Sequence, residues 1–321
     1  MLIGIFLCIK QCVFLVKRLL LYVGDKYILK HAYLIIANKN PQQLQLLINT
    51  IDDSRNDIYL LIDAKSSIVN NIFTTNYSIL NIINPIEIFW GSYTQIQAEI
   101  NLFKAASHDK YGYYHLISGL DFPLVNQDRI HEFFDNIPNH EFLTYGCLDN
   151  KNEIKFRTRK HLFTNHFRSG NYLFKIYRKI ENNTLKIFPN TKPYVKYLGY
   201  ASNWLTIDHR LVQKIISNEH LICRMFYDGY LVDELFIPTI INLYPEFKKN
   251  IYYPKPVNDI PNEFQGNMRY INWWDGSPYV WRDKDYDKLV RARQMGQLFS
   301  RKFDATIDSE IIKKIVHDIF E

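Results

Sequence analysis

The sequence predicts an α/β protein with a mostly parallel, Rossmann-like sheet flanked by helices. Three observations carry that prediction. From residue 31 onward, short apolar runs alternate with stretches of helical periodicity, the order that β-α-β units produce. Asn38, Asp63, Trp90 and Asp121 stand just past the ends of apolar runs, and ligands of open α/β sheets sit outside the C-terminal strand ends. With 321 residues, no internal repeat and no low-complexity linker, the chain is long enough to bury a large core.

The elements follow in order. Residues 31–37 are a strand ending at Asn38. Asn40 and Pro41 open a helix as N-cap and N1, with Leu44, Leu47, Ile48 and Ile51 as its buried stripe. Residues 57–63 are a second strand, closed by Asp63, and 86–90 a third. Gly91-Ser92 then leads into a helix with Ile96, Ile100 and Phe103 on one face. Residues 114–118 are a strand running into the turn 119–124, and Asp128 starts the next helix. Residues 151–194 are basic and aromatic without a clean period and read as a long, partly helical insertion. Residues 199–208 are a strand feeding a helix whose stripe is Leu211, Val212, Ile215 and Ile216. A helix over 233–243 follows, then the segment 269–274, a helix over 285–298, Arg301–Asp304, and a closing helix from Asp308.

Composition narrows the partners. The chain is 47% hydrophobic and 22% charged, with a net charge of +6, an ordinary globular balance. Its cations are spread, apart from 151–160 and a cluster near the C-terminus, and no nucleic-acid-binding motif accompanies them. Nucleic acid is therefore not expected, whereas nucleotide diphosphates and anionic membranes suit such a surface. The four cysteines, Cys8, Cys12, Cys147 and Cys223, have no metal-ligand spacing and read as reduced thiols in a cytoplasmic protein. Aromatics reach 15%, including 23 Tyr; stacked rings suit sugars, and a biased coding composition explains the count equally well.

Residues 1–23 are apolar but interrupted by Lys10, Lys17 and Arg18. No run of roughly 18 uncharged residues exists there, so a spanning helix is not expected. A signal peptide would place its cations before the apolar stretch. On a helix Lys10 and Lys17 fall within about 20° of each other, a pattern for a helix lying in a membrane interface. A buried helix or a misassigned start are the other readings.

The segment Val-Asp-Glu-Leu-Phe at 232–236 carries the sharpest chemical signal. With Asp233 as N-cap, Glu234 should open the helix. There the helix dipole favours its negative charge, and the carboxylate is ionised and directed outward, as a general base requires. The plain alternative is a first-turn acid that only completes a cap.

Taken together, HAYLIIANKNPQQLQLLI, NDIYLLIDAKS, WGSYTQIQAEINLFKAA, YHLISGLDFPL, ASNWLTIDHRLVQKII, VDELFIPTII, RYINW and LFSRKFDATID resemble the core-2/I-branching enzymes of glycosyltransferase family 14. They follow the order of that family at the spacing of its bacterial members, from His31 to about Val316. The resemblance implies a GT-A fold over 31–321, with a nucleotide-binding half (31–150) and an acceptor and catalytic half (195–321), after a separate segment at 1–30. It also implies an inverting transfer from a UDP-sugar donor to a glycan or lipid-linked glycan, with UDP-N-acetylglucosamine as the first donor. UDP-xylose is the alternative donor, and a catalytically silent glycan-binding protein of the same fold is the alternative function. Peripheral contact with the inner face of the cytoplasmic membrane fits such acceptors.

The resemblance assigns residues. Glu234 matches the base of the family and Lys302 its phosphate-binding lysine. The partner arginine is less plain: Arg282 is nearest, with Arg269 and Arg301 as further candidates. Asp63 matches the acid that meets uracil, and Asn38 stands where the family has a histidine. Trp273 matches a tryptophan that lines the acceptor, or is a core residue. Asp121 contacts acceptor or hydrogen-bonds its own turn. No metal or other cofactor is expected, because cationic side chains offset the leaving diphosphate. Asp283, Asp285 and Asp287 form Asp-x-Asp spacings, but at a helix entrance rather than after a nucleotide-side strand.

Overall fold

The computed structural model describes residues 29–69, 72–145, 151–166, 170–187 and 195–321. The segment 1–23 lies outside the described residues, as do Cys8, Cys12 and Cys147; Cys223 is a free, half-buried thiol.

The first half of the chain builds the sheet. Strand β1 (His31–Ala37) is followed by α1 (Pro41–Ile51), β2 (Asn56–Ile62), β3 (Ile79–Ile83), α2 (Tyr93–Ala106), β4 (Tyr113–Ser118), β5 (Asp121–Pro123) and α3 (Gln127–Asp135). β1 pairs in parallel with β2 and β4, and β2 in parallel with β3. After the insertion helices α4 (Lys151–Arg157) and α5 (Tyr172–Ile187), β6 (Leu205–Asp208) adds an antiparallel edge beside β4. The five-stranded order is β3-β2-β1-β4-β6. The chain continues through α6 (His209–Ser217), α7 (Glu219–Phe226), α8 (Phe236–Leu243), α9 (Pro245–Lys248), β7 (Arg269–Ile271), α10 (Tyr286–Gln294), β8 (Phe299–Arg301) and α11 (Glu310–Phe320). β8 lies between β5 and β7 in a small second sheet.

Successive strand residues point to opposite faces, and the core divides accordingly. Ala32, Leu34, Tyr59, Leu61, Tyr114 and Leu116 pack with α2, α6, α7 and α8. Tyr33, Ile35, Ile58, Leu60, Tyr113 and Ile117 pack with α1, α3, α10, α11 and the second sheet. Central parallel strands covered on both faces need near-continuous apolar sequence, which is why β1, β2 and β4 stand out in the chain. This mixed α/β architecture agrees with the expected GT-A-like fold.

Three local expectations change. The third strand is 79–83 rather than 86–90; Pro85 has no amide to give a ladder, and 84–89 form an irregular connection. The strand expected over 199–208 is confined to 205–208. Helix α8 begins at Phe236 with Leu235 as N-cap and no side-chain cap bond, so Asp233 caps nothing.

Candidate functional site

The C-terminal ends of β1, β2 and β4 and the exit of β8 form one rim. Gln43, near the start of α1, ties it together: its amide donates to the carbonyls of Gly119 (3.2 Å) and Phe303 (3.1 Å) and accepts from the Ala305 amide (2.8 Å). Asn40 does not cap α1 with its side chain; its amide donates to Asp304 at 2.9 Å, and Lys39 pairs with the same carboxylate. Burial works against the charge of Asp304, but bonds from Lys39, Thr306 and Asn40 hold its pKa down to about 2. The first crossover and the chain after β8 are thereby clamped together.

Asp63 stands at the end of β2, buried. Its Oδ1 accepts from the Lys65 amide (3.0 Å), Lys65 Nζ (2.9 Å) and the Ile88 amide (3.2 Å), whereas Oδ2 accepts, among the described residues, from Lys65 Nζ alone (3.0 Å). One oxygen is thus committed to holding 84–89 against the rim, and the other retains accepting capacity. Asn38 is exposed, and its carbonyl accepts from Ser66 Oγ at 2.9 Å.

Asp121 is closed off. It accepts from the Ser118 amide (2.8 Å), the Ser118 hydroxyl (3.0 Å) and Arg301 Nη1 (2.7 Å), and is 1% exposed. It shapes the turn and pairs Arg301 across β5 and β8; no carboxylate surface is left for a sugar. Arg301 also lies over the Trp204 ring, 4.5 Å from its centroid. Arg269 is fully buried and donates to the carbonyls of Asn267 (2.6 Å), Leu116 (3.2 Å) and Leu205 (2.7 Å) and to Thr206 Oγ1 (3.1 Å). Burial lowers its pKa to about 10. It cannot reach a phosphate, which corrects that candidacy.

Lys302 follows β8 and is half-buried. Its carbonyl accepts from the Trp281 amide at 2.9 Å, which puts exposed Arg282 one residue along from that bond. Trp281 itself is fully buried, stacked on Tyr270 with 5.6 Å between ring centroids. The acids beyond it are engaged: Asp285 accepts from Tyr279 (2.9 Å) and Lys288 (2.8 Å), and Asp283 pairs with Lys314 (2.6 Å). Trp273 is 36% exposed, so it is a surface ring rather than a core one.

Glu234 lies in the turn before α8, not in its first helical turn. Its side chain is 24% accessible, and its Oε2 accepts from Arg157 Nη1 at 2.7 Å. Burial raises its pKa above the ordinary glutamate value, and Arg157 opposes that rise. Arg157 is anchored by Glu153 (2.7 Å), and its carbonyl accepts from the Tyr230 amide (2.7 Å). The insertion therefore supplies the cation that orients Glu234. No sequence pattern links residues so far apart, and this partner was not foreseen. Asp233 turns inward instead: Asn203 Nδ2 donates to it (3.1 Å) and to buried Glu99 (3.1 Å). Burial, then the charge of Glu234, pushes Asp233 up to about 7.

The strip 201–204 joins the two centres. Ala201 donates its amide to the Glu234 carbonyl (2.9 Å), Asn203 holds Asp233, and Trp204 lies under Arg301. The backbone of Glu234, with its partly open carboxylate, is thus held at one end of the strip, and Arg301, which precedes Lys302 in the chain, lies at the other. Such an arrangement can take a proton from a hydroxyl and offset a leaving anion. Residues 31–302, most of the chain, match the family model for the Core-2/I-Branching enzyme. No curated protein matches the chain.

Proposed function

The chain belongs to the core-2/I-branching enzyme family and is a glycosyltransferase; from that premise we propose that it moves N-acetylglucosamine from UDP-N-acetylglucosamine to a hydroxyl of a surface glycan, with inversion. The observation that carries the mechanism is Glu234: a carboxylate of raised pKa, partly open to solvent and fixed by Arg157. Glu234 takes the proton of the acceptor hydroxyl as its oxygen bonds to C1 of the donor sugar. The C1–O bond to the diphosphate breaks on the opposite face, and the electron pair leaves with UDP. Trp273 offers its exposed ring to the acceptor.

Lys302 and Arg282 stabilise the leaving diphosphate. Arg269 is excluded by burial, and Arg301 is committed to Asp121 and Ser118. Asp63 Oδ2 accepts the uracil N–H, with exposed Asn38 beside it at the rim. No metal takes part in the transfer. The purified protein should consume UDP-N-acetylglucosamine in a screen of UDP-sugars, at a rate unchanged when manganese or magnesium is added to a metal-depleted assay. Preferential consumption of UDP-xylose would move the reading to xylosyl transfer. An absolute manganese requirement would overturn the cationic assignment, and failure to bind UDP would leave a glycan-binding protein.

We place the enzyme at the inner face of the cytoplasmic membrane, on an anionic lipid surface. No helix among the described residues is long and apolar enough to cross a membrane, and the attachment we propose is peripheral. Beyond the segment 1–23, support comes from α5, whose exposed side carries Tyr172, Leu173, Ile176 and Ile180 beside exposed Lys175 and Lys179. Its acid, Glu181, turns inward to the Leu162 amide (2.7 Å) and Tyr177 (3.2 Å). Cations near anionic lipid contribute roughly 1 kcal/mol each. Deleting 1–23 together with Ile176→Ser and Ile180→Ser should release the protein from phosphatidylserine vesicles in a flotation assay. Equal flotation of this variant and the full chain would sink the placement.

A further inference from the structure

At the other end of the sheet, three polar groups converge. His31, which opens β1, is fully buried, and His131 on α3 is 2% exposed. Asp135 stands one turn after His131, with 28% of its side chain open. His31 Nε2 lies 3.4 Å from Asp135 Oδ1, and His131 Nδ1 lies 3.8 Å from Asp135 Oδ2. Both ring nitrogens are buried with no hydrogen-bond partner among the described residues. Two unpartnered buried nitrogens facing a carboxylate are costly.

The outer contacts explain how those nitrogens present lone pairs. Asn56 donates its amide to the Ile51 carbonyl (2.9 Å) and to Gln127 Oε1 (2.8 Å). Because the Ile51 carbonyl can only accept, the amide orientation is fixed, and Asn56 Oδ1 faces His131 Nε2 at 2.9 Å. That nitrogen therefore carries the hydrogen, and Nδ1 of the neutral ring is bare. His31 Nδ1 lies 3.0 Å from His115 Nε2, and His115 Nδ1 lies 2.9 Å from Thr206 Oγ1. That chain can run either way: with its hydrogens directed toward Thr206, His31 Nε2 is bare as well, and a bound cation would select that direction. Outer hydrogen bonds that fix the tautomer are what metal-binding histidines have.

We infer that His31, His131 and Asp135 form a binding site for one divalent transition metal, Zn2+ foremost, between the start of β1 and α3. The three ligand atoms lie within 4.8 Å of one another. Ligands of tetrahedral zinc stand about 3.3 Å apart, since each bond is about 2.0–2.1 Å; the His31–Asp135 separation already matches. Two imidazoles and one carboxylate favour Zn2+ or Co2+ over Mg2+ and Ca2+, which prefer all-oxygen shells. The exposed edge of Asp135 gives the ion its route in and leaves a position for water. The ion would join β1 to α3, and it stands at the opposite end of β1 from Asn38 and the rim, so it plays no part in offsetting the leaving diphosphate.

The test is a titration of the metal-depleted full-length chain with Co2+, followed by visible d–d absorption, and with Zn2+, followed by melting temperature. The wild type should saturate at one ion per chain, with its melting temperature raised by several degrees. Asp135→Asn, which keeps the shape of the side chain at a partly open position, should weaken binding at least about tenfold. His131→Gln should abolish the one-equivalent signal. A folded wild-type chain without a saturable one-equivalent Co2+ signal would overturn the site, as would Asp135→Asn titrating like the wild type; the three residues would then be a polar cluster only. UDP binding, read in parallel, is independent of this outcome, so failure here leaves the transferase reading untouched.

Discussion

Glu234→Gln is expected to lower turnover by about 10²–10⁴-fold, the usual cost of losing a general base, while UDP affinity stays nearly unchanged. Glutamine keeps the size of the side chain, and its carbonyl oxygen can still accept from Arg157 Nη1, which sits 2.7 Å from Oε2. The substitution thus removes proton affinity and little else. Single-turnover transfer rates and calorimetry with UDP separate the two effects. Near-normal turnover would remove Glu234 from the mechanism, and a parallel loss of UDP affinity would mean that the fold of the turn had changed.

The second large effect concerns stability. Arg269→Met should destabilise the fold by about 3 kcal/mol, because Arg269 satisfies three carbonyls and the Thr206 hydroxyl in a dry interior. The carbonyls belong to β4, β6 and the loop before β7, so the loss falls where the edge strand and the second sheet meet. The urea midpoint should drop with an unchanged slope. UDP affinity measured well below that midpoint should match the wild type. The reverse pattern, an unchanged midpoint with weakened UDP binding, would return Arg269 to the phosphate site.

The sequence by itself determined the scaffold. Strands β1, β2 and β4 are covered on both faces, so burial wrote near-continuous apolar runs into the chain. Helices α1, α2 and α6 each bury one face and therefore show a periodic stripe. Positions at the C-terminal strand ends were legible to the same degree, because a parallel sheet fixes which residues stand at each end; Asn38 and Asp63 lie there in the structure. The edge strand β3 was misplaced although its sequence, ILNII, is apolar except at Asn81: none of its residues is buried, so nothing in its burial sets it above the similar run at 86–90.

Only the tertiary structure decided what each charged group does. Asp233 and Glu234 are adjacent in sequence, yet one turns inward to Asn203 and the other to Arg157. Arg269, Arg301, Lys302 and Arg282 look alike as cations in the chain. Packing buries the first, pairs the second with Asp121, and leaves the last exposed beside the segment that carries Lys302. Likewise His31 and His131 lie far apart in sequence and meet only when α3 packs across the sheet; their rings are then 4.1 Å apart. The physical reason is the same in each case. Hydrophobic periodicity is a local property of the chain, whereas the role of a charge depends on its desolvation and on its partner, and both come from residues distant in sequence.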